Sequence, residues 1–164
     1  MLGTLLMWTF VEYFFHRFLL HRELHLDDNE KADPDYLAKI FSKHIYHHVF
    51  MNQRYRIVQS LYTLVTYIGC AQIITYFILP THTRYLLSAA FSLGCLIYDW
   101  THLAYHFEDT MPQWIRNTYW FQSMQEAHLH HHFRDNETEF GVTSDMWDRV
   151  YGTERAQTPA VPEA

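Results

Sequence analysis

The sequence predicts an all-α protein, an integral membrane helical bundle of about three spanning helices with a helical cap on the cytosolic side. Three observations carry this. Ile57 to Leu79 runs 23 residues without a charge and stops at Pro80, longer than the ~20 residues that cross a hydrocarbon core. Ten of the thirteen histidines fall into four short boxes, His16/His21, His44/His47/His48, His102/His106 and His128/His131/His132. Basic residues are sided: six lie in Arg22–Arg56 and four follow His106, while Arg84 stands alone between the two hairpin helices. By the positive-inside rule the histidine side is cytosolic.

Taken in order, Met1 to Phe15 is apolar, with no basic n-region or small-residue cleavage site, so it reads as a helix rather than a cleaved signal. A chain that begins almost inside such a helix is expected to be a piece of a longer protein. Asp33-Pro34 reads as an N-cap followed by proline at the first helical position. Leu37, Ile40, Phe41, His44 and His48 then keep helical spacing. Ile57–Leu79 is the surest spanning helix. Tyr85–Tyr98 is uncharged for only 14 residues but continues through Asp99, His102 and His106. The Pro80–Arg84 connection makes these two an antiparallel hairpin, which returns the chain to the side of the other boxes. Trp114, Tyr119, Trp120 and Phe121 suit an aromatic segment at the membrane interface. The domain is expected to run over 1–153, with a disordered tail over 154–164.

Composition narrows the function. At 164 residues there is room for one domain and none for a separate cofactor module. Hydrophobic residues make up 49% and are concentrated in blocks. A net charge of −6 offers no basic stripe for nucleic acid. Cys70 and Cys95 sit in apolar runs and read as small buried hydrophobes rather than a disulfide framework.

The boxes carry the chemistry. Imidazole is a common ligand for zinc, iron and copper, and ten at controlled spacing exceed what one ion can hold, so two metal ions are expected. Residues at i, i+3 and i+4 project from one helix face, so each box can offer its rings to a common point. His16 and His21 are five apart and need a break or turn after Leu20. His130 points away from its neighbours; His25 and His82 are isolated and read as ordinary histidines. Glu12 lies one turn before His16 and Asp99 three residues before His102. As ionisable groups in apolar runs they are candidates to accept the second N–H of those imidazoles.

In this order the residues resemble the fatty acid 2-hydroxylases. The likeness is carried by His16-Arg17-Phe18-Leu19-Leu20-His21, by His44-x-x-His47-His48 with Arg56-Ile57-Val58, by Tyr98-Asp99-x-x-His102-x-x-x-His106 and by His128-x-x-His131-His132-Phe133. The closing Phe140-Gly141-Val142-Thr143-Ser144-x-x-Trp147-Asp148-x-Val150-x-Gly152-Thr153 is similar to the wider fatty acid hydroxylase superfamily. The resemblance implies an endoplasmic-reticulum membrane enzyme whose ten boxed histidines hold two metal ions. It implies hydroxylation of a long acyl chain, free or within ceramide, beside its carbonyl, with O2 and two electrons. Sterol desaturases and methyl oxidases tend to have a shorter first box, and carotenoid hydroxylases a longer third box, so both comparisons favour the fatty acid 2-hydroxylases, with those relatives as the alternative. The chain departs from the family's pattern at Met51-Asn52-Gln53, where Pro-x-Asp is common, and at Phe107, where a second histidine is common.

An unactivated C–H bond is beyond side-chain acids and bases, so the metal must break it. That chemistry argues for iron, although the same ligands accept zinc. The sequence has no G-x-G-x-x-G, so electrons are expected from a separate carrier such as cytochrome b5. A membrane zinc hydrolase or a histidine-rich transport protein would be the readings outside the oxygenases; O2 dependence and metal content separate them.

Overall fold

The computed structural model describes residues 2–21, 44, 47–48, 51, 54–58 and 61–156. The Asp33-Pro34 cap, His25 and residues 157–164 of the expected 154–164 tail lie outside the described residues; the start of that tail is held instead, the Arg155 amide donating to the Glu139 carboxylate at 3.0 Å. Those described are helical, with no strand among them. The apolar N-terminal run forms α1 (Leu2–Phe14) and continues without a break into a π-helical stretch, Phe15–Leu20. Glu12, Tyr13 and His16 form its buried face, while Met7, Phe10, Phe14 and Phe18 are turned outward.

The long uncharged run is not one helix. It is divided into a short α2 (Arg54–Ile57), closed by buried Ile57, and α3 (Leu61–Tyr76). At its far end the Thr75 carbonyl accepts the amides of both Ile78 (3.2 Å) and Leu79 (3.0 Å), which winds the chain into a turn before Pro80. The expected Pro80–Arg84 connection is therefore Phe77–Pro80, because Pro80 already caps α4 (Thr81–His106). At ~1.5 Å per residue α3 is roughly 24 Å long, short of the ~30 Å core. The longer α4 carries Asp99, His102 and His106 in its last two turns. Among the described residues no helix is both long and apolar enough to cross a membrane.

The hairpin itself is as expected. α3 packs against α4, and the Gln72 amide ties the two by donating to the Arg84 carbonyl (3.2 Å) and the Ser88 hydroxyl. Its outer surface is apolar: Tyr62 is 82% exposed, Ile73 69% and Leu86 68%. Cys70 belongs to this exposed face, contrary to its reading as buried; Cys95 is buried. Against the other side of α4 lies α1, where the Trp8 indole covers Gly94 and meets Phe91 edge-on at 5.6 Å.

After α4 a 3₁₀ turn (Glu108–Thr110) and α5 (Gln113–Arg116) lead to α6 (Tyr119–Phe133). The Thr118 hydroxyl accepts the Phe121 amide at 3.2 Å and caps α6. Trp114 and Tyr119 are exposed as an interfacial segment requires, but Phe121 is buried with Tyr98, Tyr105, Met111 and Met124 in the core beside the cap. Helical period explains the split, since only one side of this aromatic run can face outward. The chain closes with α7 (Met146–Tyr151). Gly152 follows it at φ +67°, a left-handed position that suits glycine, and lets the Thr153 amide return to the Asp148 carbonyl at 2.8 Å.

Candidate metal centre

All ten boxed histidines meet at the cap end of α1 and α4. They do so as two groups of five. The first is His16, His21, His44, His48 and His131; the second is His47, His102, His106, His128 and His132. In each group one ring nitrogen per residue lies within 4.8 Å of all the others.

Each box was expected to serve a common point, and the two H-x-x-H-H boxes do not. His44 and His48 go to the first group and His47 to the second; His128 and His132 go to the second and His131 to the first. Helical geometry is the reason. Positions i and i+4 are ~40° apart around the axis, whereas i+3 and i+4 are ~100° apart, so neighbouring histidines straddle two centres. The first box converges by another device. At ~100° per residue, five residues of α-helix would leave His21 ~140° from His16. The π-helical stretch bonds i to i+5, and the His21 amide reaches the His16 carbonyl at 3.1 Å. The break lies within Phe15–Leu20 rather than after Leu20.

The nitrogen spacings identify what the groups can hold. In the first, Nε2 of His21 is 3.2 Å from that of His16, 3.0 Å from that of His44 and 3.0 Å from that of His131. His44 Nε2 is 2.9 Å from His16 Nε2 and 3.0 Å from His48 Nε2. In the second, His47 and His102 approach at 3.1 Å and His106 and His128 at 2.9 Å. A ring nitrogen carries one proton or one lone pair, so three such neighbours cannot all be hydrogen-bond partners. Ligands ~2.1 Å from one ion and at right angles to each other are about 3.0 Å apart. The His132 ring, buried and without a hydrogen-bond partner at either nitrogen among the described residues, fits the same reading. The donor set is therefore able to hold two ions. Burial pushes His131 down to about 4 and His47 down to about 3, which keeps both rings neutral, the form with a free lone pair. The groups abut: His48 and His132 stack at 4.0 Å between ring centroids.

Of the two carboxylates proposed as partners of the imidazoles, Glu12 does something else. Glu12 accepts the amides of Val142 (2.6 Å) and Thr143 (2.7 Å) and the Thr143 hydroxyl. The second nitrogen of His16 meets the Phe140 carbonyl instead. Asp99 is half-buried on α4, and the Nδ1 of His102 has no hydrogen-bond partner among the described residues, so the two are not bonded. The spacing arguments placed both acids on the right helices but could not show which way the closing segment passes. His82 is exposed, and His130 stays outside both groups, as read from the sequence.

Sequence reasoning missed the role of that segment. Nδ1 of His131 is 2.5 Å from the Thr138 carbonyl, so Thr138 and Phe140 each turn a carbonyl to the first group. Asp148, fully buried, accepts the amides of Phe140 and Gly141 and the Thr153 hydroxyl, each at 2.8 Å. Burial pushes its carboxyl up to about 6 while these three donors oppose the rise. A Cβ at Gly141 would stand 2.0 Å from the Ser144 carbonyl oxygen and 2.8 Å from the carboxylate, so only glycine fits. The signal was present in the Phe140-Gly141…Asp148…Gly152-Thr153 pattern, which spacing alone does not translate into a contact.

Below the centre, between α1, α3 and α4, lies a narrow apolar slot lined by Trp8, Val11, Phe15, Tyr67, Phe91 and Cys95. Tyr98 joins slot to centre: it lines the slot, and its ring is 5.4 Å from that of His102.

Comparison with known proteins agrees with this arrangement. The profile of the fatty acid hydroxylase family matches residues 1–153. The ceramide very long chain fatty acid hydroxylase scs7 of Schizosaccharomyces pombe is 35% identical over 150 residues, 90% of this chain and 40% of that protein. Human fatty acid 2-hydroxylase is 31% identical over 160 residues, 97% of this chain and 40% of that protein. A solved structure of full-length scs7p, in which only the hydroxylase domain is visible, superposes with a TM-score of 0.74 at 28% identity. It covers 99% of this chain and 56% of that one. The chain thus spans about two fifths of the length of these curated relatives. On the match over 1–153 it belongs to the fatty acid hydroxylase family.

Proposed function

We propose that this chain is the catalytic domain of a membrane-bound lipid hydroxylase that places a hydroxyl at the 2-position of a long fatty acyl group, free or ceramide-linked. The observation that carries it is the pair of five-histidine groups, with Tyr98 lying between His102 of the second group and a mostly apolar slot. The names of the relatives, a ceramide fatty acid hydroxylase and a fatty acid 2-hydroxylase, support the substrate class.

His16, His21, His44, His48 and His131 would hold one ion and His47, His102, His106, His128 and His132 the other. Iron in these positions would supply the O2 activation and one-electron chemistry that an unactivated C–H bond demands; zinc suits the same ligands in isolated protein. The protein's own part is positional. Trp8, Phe15, Tyr67 and Phe91 exclude water and hold the acyl chain, and Tyr98 sets the depth at which a carbon meets the histidines. Electrons come from an external donor such as cytochrome b5. The outward apolar residues of α1, α3 and α4 support an endoplasmic-reticulum or similar internal membrane, with the histidine end cytosolic.

The test is lipid analysis of cells that gain or lose the gene, carried with whatever domain accompanies it in the natural protein. The expected result is a gain or loss of 2-hydroxy acyl chains that depends on O2 and on His102 and His131. Unchanged acyl chains with altered sterols or carotenoids would overturn the assignment.

A further inference from the structure

The two histidine groups are not supported alike. In the first, two rings have their second nitrogen met by a backbone carbonyl, His16 by Phe140 and His131 by Thr138. In the second, the Nδ1 atoms of His47, His102, His128 and His132 are buried with no hydrogen-bond partner among the described residues; His21 alone shares this in the first. Both carbonyls come from one short loop. Glu139, the residue between them, has φ +57°, the left-handed region that a glutamate rarely adopts. It is held there from every side. Its amide donates to the Thr153 carbonyl at 2.8 Å and its carboxylate accepts the Arg155 amide at 3.0 Å. Asp148 fixes the next two amides and Glu12, reaching from α1, the two after that. Tyr13, also on α1, closes the far end through the Thr153 hydroxyl at 2.9 Å.

We infer that the 138–143 loop, clamped by Asp148 and Glu12, is a positioning device for one of the two metal positions, so that the first group holds its ion more tightly than the second. A carbonyl on the far nitrogen fixes the imidazole's tautomer, orients the ring and makes it a better donor; loss of such a partner typically costs ~10–100-fold in metal affinity. The second group, in which His47, His102, His128 and His132 have no such carbonyl among the described residues, is the exchangeable one. Asp148 and Glu12 act through the loop and touch no ligand, so they are positioning residues. The inference rests on the proposed metal centre but not on the reaction.

The experiment is chelator-driven metal release from purified, zinc-loaded protein in detergent, followed by metal content per chain. Two phases are expected, one ion leaving at least ~10-fold faster than the other. His128→Asn should remove the fast phase and leave the slow one. Asp148→Asn, which puts an amide N–H against a backbone N–H, should speed the slow phase by ~10–100-fold with the fast phase unchanged. Release of both ions in one phase overturns the inference, as does a fast phase that disappears with His131→Asn instead of His128→Asn. If Asp148→Asn does not fold, Thr153→Val removes a single donor to the same carboxylate and must act on the slow phase alone. Protein that binds no metal in any form refutes the metal centre itself, which is a different failure.

Discussion

Neighbouring residues in this protein have opposite allegiances. His47 and His48 are joined by one peptide bond and yet belong to different five-nitrogen groups, as do His131 and His132. That follows from ~100° of helical rotation per residue, and it makes the doubled histidine meaningful: one box on one helix contributes to both groups. The same resolution applies to Glu12. In sequence it is a lone acid in an apolar helix one turn from His16. In space it is the anchor of a loop some 130 residues away, accepting two amides and a hydroxyl. Hydrogen bonds to a charged group contribute about 1.5–3 kcal/mol each. Glu12→Gln keeps one oxygen for the two amides and turns the Thr143 hydroxyl into an acceptor, but it replaces three hydrogen bonds to a carboxylate with weaker neutral ones. It should lower unfolding stability by about 2 kcal/mol in thermal or denaturant melts in detergent; a variant as stable as the parent would show that the contact contributes little. What was legible at this scale was that the ten boxed histidines come together, because a shared donor set restricts both residue type and spacing. What was not legible was any contact whose partner lies far along the chain. Glu12 was assigned to the nearest histidine because sequence distance was the only ruler.

Elements succeed or fail in the sequence according to how local their cause is. The cap at Thr118, the α3–α4 hairpin and the two H-x-x-H-H helix faces depend on residues a few positions apart. The π-helical stretch does not. Nothing in Phe15–Leu20 forbids an α-helix; the extra residue per turn is fixed by the need for His16 and His21 to reach the same centre. The uncharged 57–79 run misled for a similar reason, since hydropathy measures solvent preference and cannot see that Ile57 closes a separate turn. Between α1 and α4 the helices approach through Trp8 and Gly94, where a Cβ would stand 2.2 Å from the indole Cδ2. Gly94→Ala must push the indole out of place, and overpacking of this kind costs about 1–3 kcal/mol. Trp8→Phe supplies the missing room, so the double variant should recover part of that loss, and the two changes should be non-additive in a double-mutant cycle. Strict additivity would mean that the helices move apart freely and that the slot wall is not set by this contact.

For the molecule as a whole, the question is where water ends. α3 and α4 present Leu61, Tyr62, Ile73, Ile74, Tyr85 and Leu86 outward, large apolar side chains of the kind that mark an interaction surface. The ten histidines gather at the His102–His106 end of α4, and Arg84 with His82 lies at the other end. α4 is 26 residues long, so its first turn is roughly 30 Å from His102, about one hydrocarbon thickness. No described helix has the hydropathy of an independent span. Insertion would therefore depend on the hairpin entering as a unit, with the Gln72 amide satisfied by Arg84 and Ser88 inside it rather than left bare in lipid. Such an insertion would put His82 on the side opposite the metal centre, and its exposure makes it a usable reporter. In a background with Cys70 and Cys95 replaced by serine, His82→Cys should resist a membrane-impermeant maleimide in sealed, cytosol-outward microsomes and react once detergent opens them. A cysteine at Glu126, exposed on the cap, should react in both states. Labelling of both positions in sealed vesicles would put the hairpin tip and the histidines on one side. The apolar face of α3 and α4 would then lie along the bilayer rather than through it.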